Sequence, residues 1–187
     1  MKIVYENLAQ NLNSDLQLLC LLKYASRVKT ATVLGAKSGL SLLTVIAAGV
    51  DTITLWDPEK QNTQDFEKIC AENNQDFTHN YGEITGDIQQ TDLLYLDTFA
   101  EAHLKFSELS RYHTQVNRYI IIPNTYTHAH DSQPGFVLPN NLQPAGVIHG
   151  INSFIAQFPQ WHILEHLYYA PGLTVLYNRK DISDHGR

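Results

Sequence analysis

Short runs of β-branched and apolar residues alternate along this chain with stripes at helical spacing, and each run is cut off by a residue that ends strands. Residues 30–34 stop at Gly35, 52–56 at Asp57-Pro58, 93–96 at Asp97, and 119–122 at Pro123-Asn124. Between them Leu40, Leu43 and Ala47, then Phe66, Ile69 and Cys70, then Ala102, Phe106, Leu109 and Tyr112 recur three to four residues apart. Strands this short and this apolar are buried on both faces, and a helix between successive strands makes a parallel crossover. The pattern therefore predicts an α/β architecture: βαβ units in a mostly parallel sheet covered by helices on both faces.

The two ends of the chain add to this frame. Leu8, Leu12, Leu16, Leu19 and Leu22 predict an N-terminal helix over residues 7–28 with those leucines on its buried face. A weaker stretch, residues 76–84, has room for a short strand. Residues 124–144, with Pro134, Pro139 and Pro144, read as a long loop, and Val147, Ile151, Phe154 and Phe158 as a last helix. Residues 161–169 and 173–177 flank Ala170-Pro171-Gly172, a connection too short for a crossover, so they form an antiparallel C-terminal hairpin. One domain is expected over residues 1–187, with its core at 30–178.

Composition narrows the partners. Thirteen Lys and Arg against 19 Asp and Glu give a net charge of −6, and no basic cluster is present, which disfavours nucleic acid. The longest apolar run, residues 42–50, is far shorter than the ~20 residues of a membrane span, and the N-terminal residues lack a signal-peptide apolar region. Cys20 and Cys70 lack metal or disulfide spacing and read as small buried hydrophobes. These features predict a cytoplasmic protein with no membrane partner. Tyr168, Tyr169 and Tyr177 give the hairpin an apolar edge that a second copy of the chain could cover, as a homo-oligomer.

In open α/β sheets ligands lie beyond the carboxyl ends of the strands, so the residues that end the strands are the candidates. The turn Gly35-Ala36-Lys37-Ser38-Gly39-Leu40-Ser41 puts one glycine where the first strand must bend and another where a helix starts. Its spacing meets neither the dinucleotide fingerprint nor the Walker motif, which argues against a nucleotide-dependent oxidoreductase, and a turn with no ligand is the plain alternative. Asp57, ending the second strand, can accept both hydrogen bonds of a ribose diol, or cap the helix that follows with Pro58 in its first turn. Asp87 precedes the fourth strand and could receive an adenine amino group, or simply hold a turn. His128 and His130 sit in the long loop, where an imidazole can act as a general base or stand in solvent.

Taken in order, the glycine turn, Asp57, Gly86-Asp87 and Thr91-Asp92-Leu93-Leu94-Tyr95-Leu96-Asp97-Thr98 resemble the class I S-adenosylmethionine-dependent methyltransferases. The likeness is narrower still to the small cephalosporin-hydroxylase-like branch, through Glu108-Leu109, Arg118-Tyr119-Ile120-Ile121, Thr125 and Gly172-Leu173-Thr174-Val175-Leu176. The resemblance implies a Rossmann-like, doubly wound, mostly parallel seven-stranded sheet and a small-molecule O-methyltransferase acting on a polar or sugar-like acceptor. It implies that Gly35, Ala36, Lys37, Ser38, Gly39 and Ser41 surround the methionine part of S-adenosylmethionine, Asp57 its ribose, and Asp87 and Ile88 its adenine. Asp97, Asn124 and His128 are then the catalytic candidates, and Asp97 with Asn124 would hold a divalent ion such as Mg²⁺. Three positions depart from the family: Val33 replaces an acidic residue, Ala100 a histidine, and Pro123-Asn124 a histidine–aspartate or acidic pair. They motivate the alternative of a degenerate methyltransferase-like protein that binds S-adenosylmethionine or a partner subunit without turnover.

Overall fold

The computed structural model describes residues 15–35, 39–58, 62–82, 86–132 and 145–180. Seven strands are present: β1 (Thr30–Leu34), β2 (Thr52–Asp57), β3 (Asp76–Tyr81), β4 (Thr91–Leu96), β5 (Val116–Pro123), β6 (Trp161–His166) and β7 (Leu173–Asn178). They form a sheet of order β3-β2-β1-β4-β5-β7-β6, the doubly wound arrangement expected. The described residues fall into two compact units, one within Met1–Gly86 and Thr91–Asp97, the other within Asp87–Gln90 and Thr98–Arg187.

In the first unit β3, β2, β1 and β4 are all parallel, with Thr30 beside Thr52, Thr52 beside Asp76, and Ala31 beside Leu93. Ala31, Val33, Leu34, Ile53, Leu55, Leu93, Leu94 and Leu96 are all buried, as two-sided coverage requires. Helix α1 (Leu16–Ala25) starts at Asp15, whose carboxylate accepts from the amides of Gln17 and Leu18. The expected leucine stripe is not its buried face. Leu16 and Leu19 are exposed, and Leu18, Leu21, Tyr24 and Ala25 point inward. The helix is leucine-rich all round, and its bulky Tyr24 and small Ala25 select the face that packs; the part expected over residues 7–14 lies outside the described residues.

Helix α2 (Leu40–Ala47) follows β1 and ends before Gly49, which has φ 78° as a helix-terminating glycine should. Helix α3 (Gln64–Glu72) begins later than Pro58 suggests, so Asp57 does not cap it; Thr63 occupies that place. Its inner side is Ile69 and Cys70, and burial pushes the Cys70 thiol up to about 11, as suits a packing residue.

In the second unit, β7 lies antiparallel between β5 and β6, pairing Ile122 with Thr174 and His166 with Thr174. Helices α4 (Ala102–Tyr112) and α5 (Val147–Gln157) pack closely because Gly150 leaves room for the Ala102 carbonyl, which a Cβ would overlap. Phe154 fills the space beside them, 5.1 Å from the Phe158 ring and 6.3 Å from that of Trp161, centroid to centroid. Lys105 is buried on α4, donating from Nζ to Thr98 Oγ1 and, at 2.9 Å, to Glu108 Oε2.

The stretch after β5 is more ordered than a long loop suggests, at least through residue 132. The amides of Thr125, Tyr126 and Thr127 donate to the carbonyls of Gly172 and Pro171 at the hairpin tip. On its other side the carbonyls of His128, Ala129 and His130 accept from Val147, Ile148 and Gly146, which satisfies the first amides of α5. Residues 133–144, with Pro134, Pro139 and Pro144, lie outside the described residues. Among the described residues no helix is long and apolar enough to cross a membrane.

Candidate active site

A parallel sheet places the carboxyl ends of its strands along one rim, and in the first unit that rim is knitted by backbone hydrogen bonds. Gly35 donates to the Trp56 carbonyl at 2.8 Å, Asp97 to the Leu34 carbonyl at 2.8 Å, and Gly82 to the Asp57 carbonyl at 3.0 Å. The ends of β3, β2, β1 and β4 are thereby brought level. Gly35 turns the chain out of β1 at φ 74°, a conformation that a Cβ would strain. Gly39 does the same at φ 71° where α2 begins, and the Phe66 ring from α3 lies 3.0 Å from where its Cβ would stand. Both glycines are thus required by the backbone, as the turn's spacing suggests. Ala36, Lys37 and Ser38 lie outside the described residues.

Ser41, in the first turn of α2, is buried, and its hydroxyl donates to the Tyr95 phenol of β4 at 3.3 Å. Burial, together with the nearby Asp97 carboxylate, pushes the Tyr95 phenol above its usual range, so it stays protonated. The Ser41–Tyr95 contact ties the start of α2 to the strand that delivers Asp97. Asp97 itself is half-buried at the end of β4.

Asp57 is almost fully buried at the end of β2, and its Oδ2 lies 3.7 Å from His79 Nε2 on β3. Register explains the meeting: His79 pairs with Leu55, and Leu55 and Asp57, two apart on one strand, share a face. The other ring nitrogen, His79 Nδ1, is 3.4 Å from Thr63 Oγ1, and that hydroxyl is 2.7 Å from Glu67 Oε1. His79 Nε2 is buried with no hydrogen-bond partner among the described residues. Neither His79, Thr63 nor Tyr95 is signalled by the sequence as a site residue. The signal for His79 is its place two residues before the end of the strand beside Asp57, and it is visible only once β3 is paired.

The remaining candidates belong to the second unit. Asp87 is exposed on the segment before β4, and Ile88 beside it is buried. Asn124 ends β5 in a left-handed conformation, φ 61°, and its carbonyl accepts from the His128 amide at 3.2 Å. His128 is half-buried and His130 exposed, the latter 6.3 Å from the His149 ring. The three departing positions are packed into the interior: Val33, Ala100 and Pro123 are all buried. Among the described residues no three His, Cys, Asp or Glu side chains gather as a metal site. One carboxylate and one amide are a poor donor set for Mg²⁺, which takes oxygen ligands in a full octahedron.

No protein-family model matches the chain, and no curated protein matches it by sequence. Solved structures do. An O-methyltransferase from Bacillus cereus in complex with SAH has a TM-score of 0.62 at 14% identity, over 95% of this chain and 89% of that one. An O-methyltransferase from Streptomyces achromogenes in complex with SAM has a TM-score of 0.59 at 12% identity, over 94% of this chain and 89% of that one. A ribosomal protein L11 methylase from Lactobacillus delbrueckii subsp. bulgaricus has a TM-score of 0.57 at 13% identity, over 89% and 80%. None of these speaks to the cephalosporin-hydroxylase-like branch. Strand order, the antiparallel C-terminal strands and these likenesses agree that the chain has the fold of the class I S-adenosylmethionine-dependent methyltransferases.

Proposed function

We propose that this protein binds S-adenosylmethionine at the rim of β3, β2, β1 and β4 and methylates an oxygen of a small polar or sugar-like acceptor. The observation that carries the reading is the buried Asp57 carboxylate at the end of β2, level with Gly35, where the chain turns out of β1. The rim suits a nucleoside: the Asp57 carboxylate lies beside an imidazole nitrogen with no hydrogen-bond partner among the described residues, and both groups can bond to hydroxyls. Likeness of fold alone does not choose the acceptor, since the structures that share it include an enzyme of a ribosomal protein. The net charge of −6 favours a small molecule over nucleic acid.

S-adenosylmethionine, when bound, supplies a methyl group on a positively charged sulfur. The chain's own part is to hold and align. Asp57 would accept hydrogen bonds from the ribose, Asp87 and Ile88 would receive the adenine, and Gly35, Gly39 and Ser41 would surround the amino-acid end. Asp97 would offer its carboxylate to the sulfonium, whose positive charge a carboxylate favours. His128, whose amide donates to the Asn124 carbonyl, would take the proton that the acceptor hydroxyl gives up. No step is routed through a metal ion.

Calorimetry with S-adenosylhomocysteine tests the reading: heat of binding with one site per chain is expected, and its absence at high protein concentration overturns it. Binding with no methyl transfer from S-adenosylmethionine to any of a panel of sugars and phenols would instead favour the protein without turnover.

A further inference from the structure

Lys105 stands on the inner side of α4, among Ala102, Leu109 and Tyr112, where a packed helix ordinarily carries an apolar residue. It is 1% exposed and is paired with Glu108, three residues along. Replacing a buried ion pair by apolar residues of similar size is often neutral or stabilising, so stability alone does not account for this one. A third member joins it. Thr98 Oγ1 donates to Glu108 Oε2 at 2.7 Å and accepts from Lys105 Nζ, which also donates to Glu108 Oε2 at 2.9 Å. The directions are forced, because an ammonium can only donate and a carboxylate can only accept. A threonine has few χ1 choices, so fixing its oxygen fixes its rotamer and the backbone that carries it. The helix that supplies the two charges is itself well seated. Glu101 caps the Leu104 amide at 2.8 Å, and the Ala102 amide donates to the Ala145 carbonyl at 3.0 Å.

Thr98 directly follows Asp97, whose own amide donates to the Leu34 carbonyl at 2.8 Å. The backbone of Asp97 is therefore held on both sides, by β1 through its amide and by α4 through its neighbour. On the reading that the Asp97 carboxylate serves the sulfonium of S-adenosylmethionine, we propose that Thr98, seated between Lys105 and Glu108, is a positioning residue for that carboxylate. It acts through Asp97 rather than on the cofactor. The consequence is selective for charge. Parting two opposite charges from about 4 Å to about 5 Å, at an effective dielectric near ~20, weakens their binding about fourfold. A ligand whose sulfur is neutral is indifferent to the same displacement.

The test is calorimetry of the full chain with S-adenosylmethionine, whose sulfur is positive, and with S-adenosylhomocysteine, whose sulfur is neutral. The ratio of the two affinities reports the charge beside the sulfur. Asp97→Asn should shift this ratio against S-adenosylmethionine. Thr98→Val, which keeps the shape of the side chain and leaves the ion pair in place, should shift it the same way by about fourfold while keeping the affinity for S-adenosylhomocysteine. Thr98→Ser keeps the hydroxyl and should restore the wild-type ratio. Lys105→Met combined with Glu108→Leu removes both partners of Thr98; it should keep the urea midpoint yet shift the ratio as Thr98→Val does, and it carries the test where Thr98→Val does not fold. A wild-type ratio in these variants, an equal loss of both ligands, or an Asp97→Asn protein with an unchanged ratio overturns the proposal and leaves the nucleoside reading standing. No binding of either ligand by the wild type overturns both.

Discussion

Asp57 is the residue on which the proposed reading of the first unit rests. Its carboxylate is buried where β2 ends, and a buried polar group is stable there only with partners that match it. Asp57→Ala removes the acceptor for the ribose and should weaken S-adenosylhomocysteine binding by about 1–3 kcal/mol, the cost of leaving ligand hydroxyls unpaired in a dry place. Calorimetry reads this directly, and unchanged affinity would mean that the ribose lies elsewhere. Gly39 tests the scaffold beside it. An alanine there would hold φ 71° against its preference and press its methyl on the Phe66 ring. Gly39→Ala should destabilise the fold by roughly 1–3 kcal/mol, seen as a lower urea midpoint with an unchanged slope.

Elements show where the sequence could be read and where it could not. The strands were legible because β-branched runs ending in Gly, Asp or Pro leave few alternatives, and β1, β4 and β7 follow those runs closely. The strand-end residues Gly35, Asp57 and Asp97 came with them, since a parallel sheet puts all its carboxyl ends on one rim. The buried face of α1 was not legible: leucines occur at 16, 18, 19, 21 and 22, so spacing alone supports more than one stripe. Nor was His79, whose meeting with Asp57 depends on the register of β3 rather than on any motif. Packing between helices was equally hidden, because Gly150 reads as a poor helix residue until Ala102 is found against it. Gly150→Ala forces α4 and α5 apart and should cost about 2–4 kcal/mol, whereas Asn152→Ala, exposed on the same helix, should cost little. Equal urea midpoints for the two variants would show that the helices do not pack through that glycine.

On the scale of the whole chain, three histidines of the second unit contribute to its response to acid. His113 lies 4.1 Å from the Phe158 ring and 5.6 Å from that of Phe154, and burial together with the Lys180 charge lowers its pKa. Burial also lowers those of His162, helped by Arg179, and of His166, whose Nδ1 meets Thr174 at 2.7 Å. Each ring is therefore held neutral in the fold and takes a proton more readily when the chain is unfolded. Between the lowered native value and the ordinary one near ~6.5, the unfolded state binds more protons, so stability rises with pH. It is full above the ordinary histidine value, declines as pH falls through it, and levels off once the native rings are protonated too. A series of urea midpoints at pH 7.5, 6.5 and 5.5 follows this decline. His113→Phe keeps the aromatic packing and removes one titrating ring, so its midpoint should fall less over the same interval than that of the wild type. Parallel curves for the two proteins would mean that His113 keeps its ordinary affinity for protons in the native state, and that the aromatic cluster of α5 does not shelter it from water.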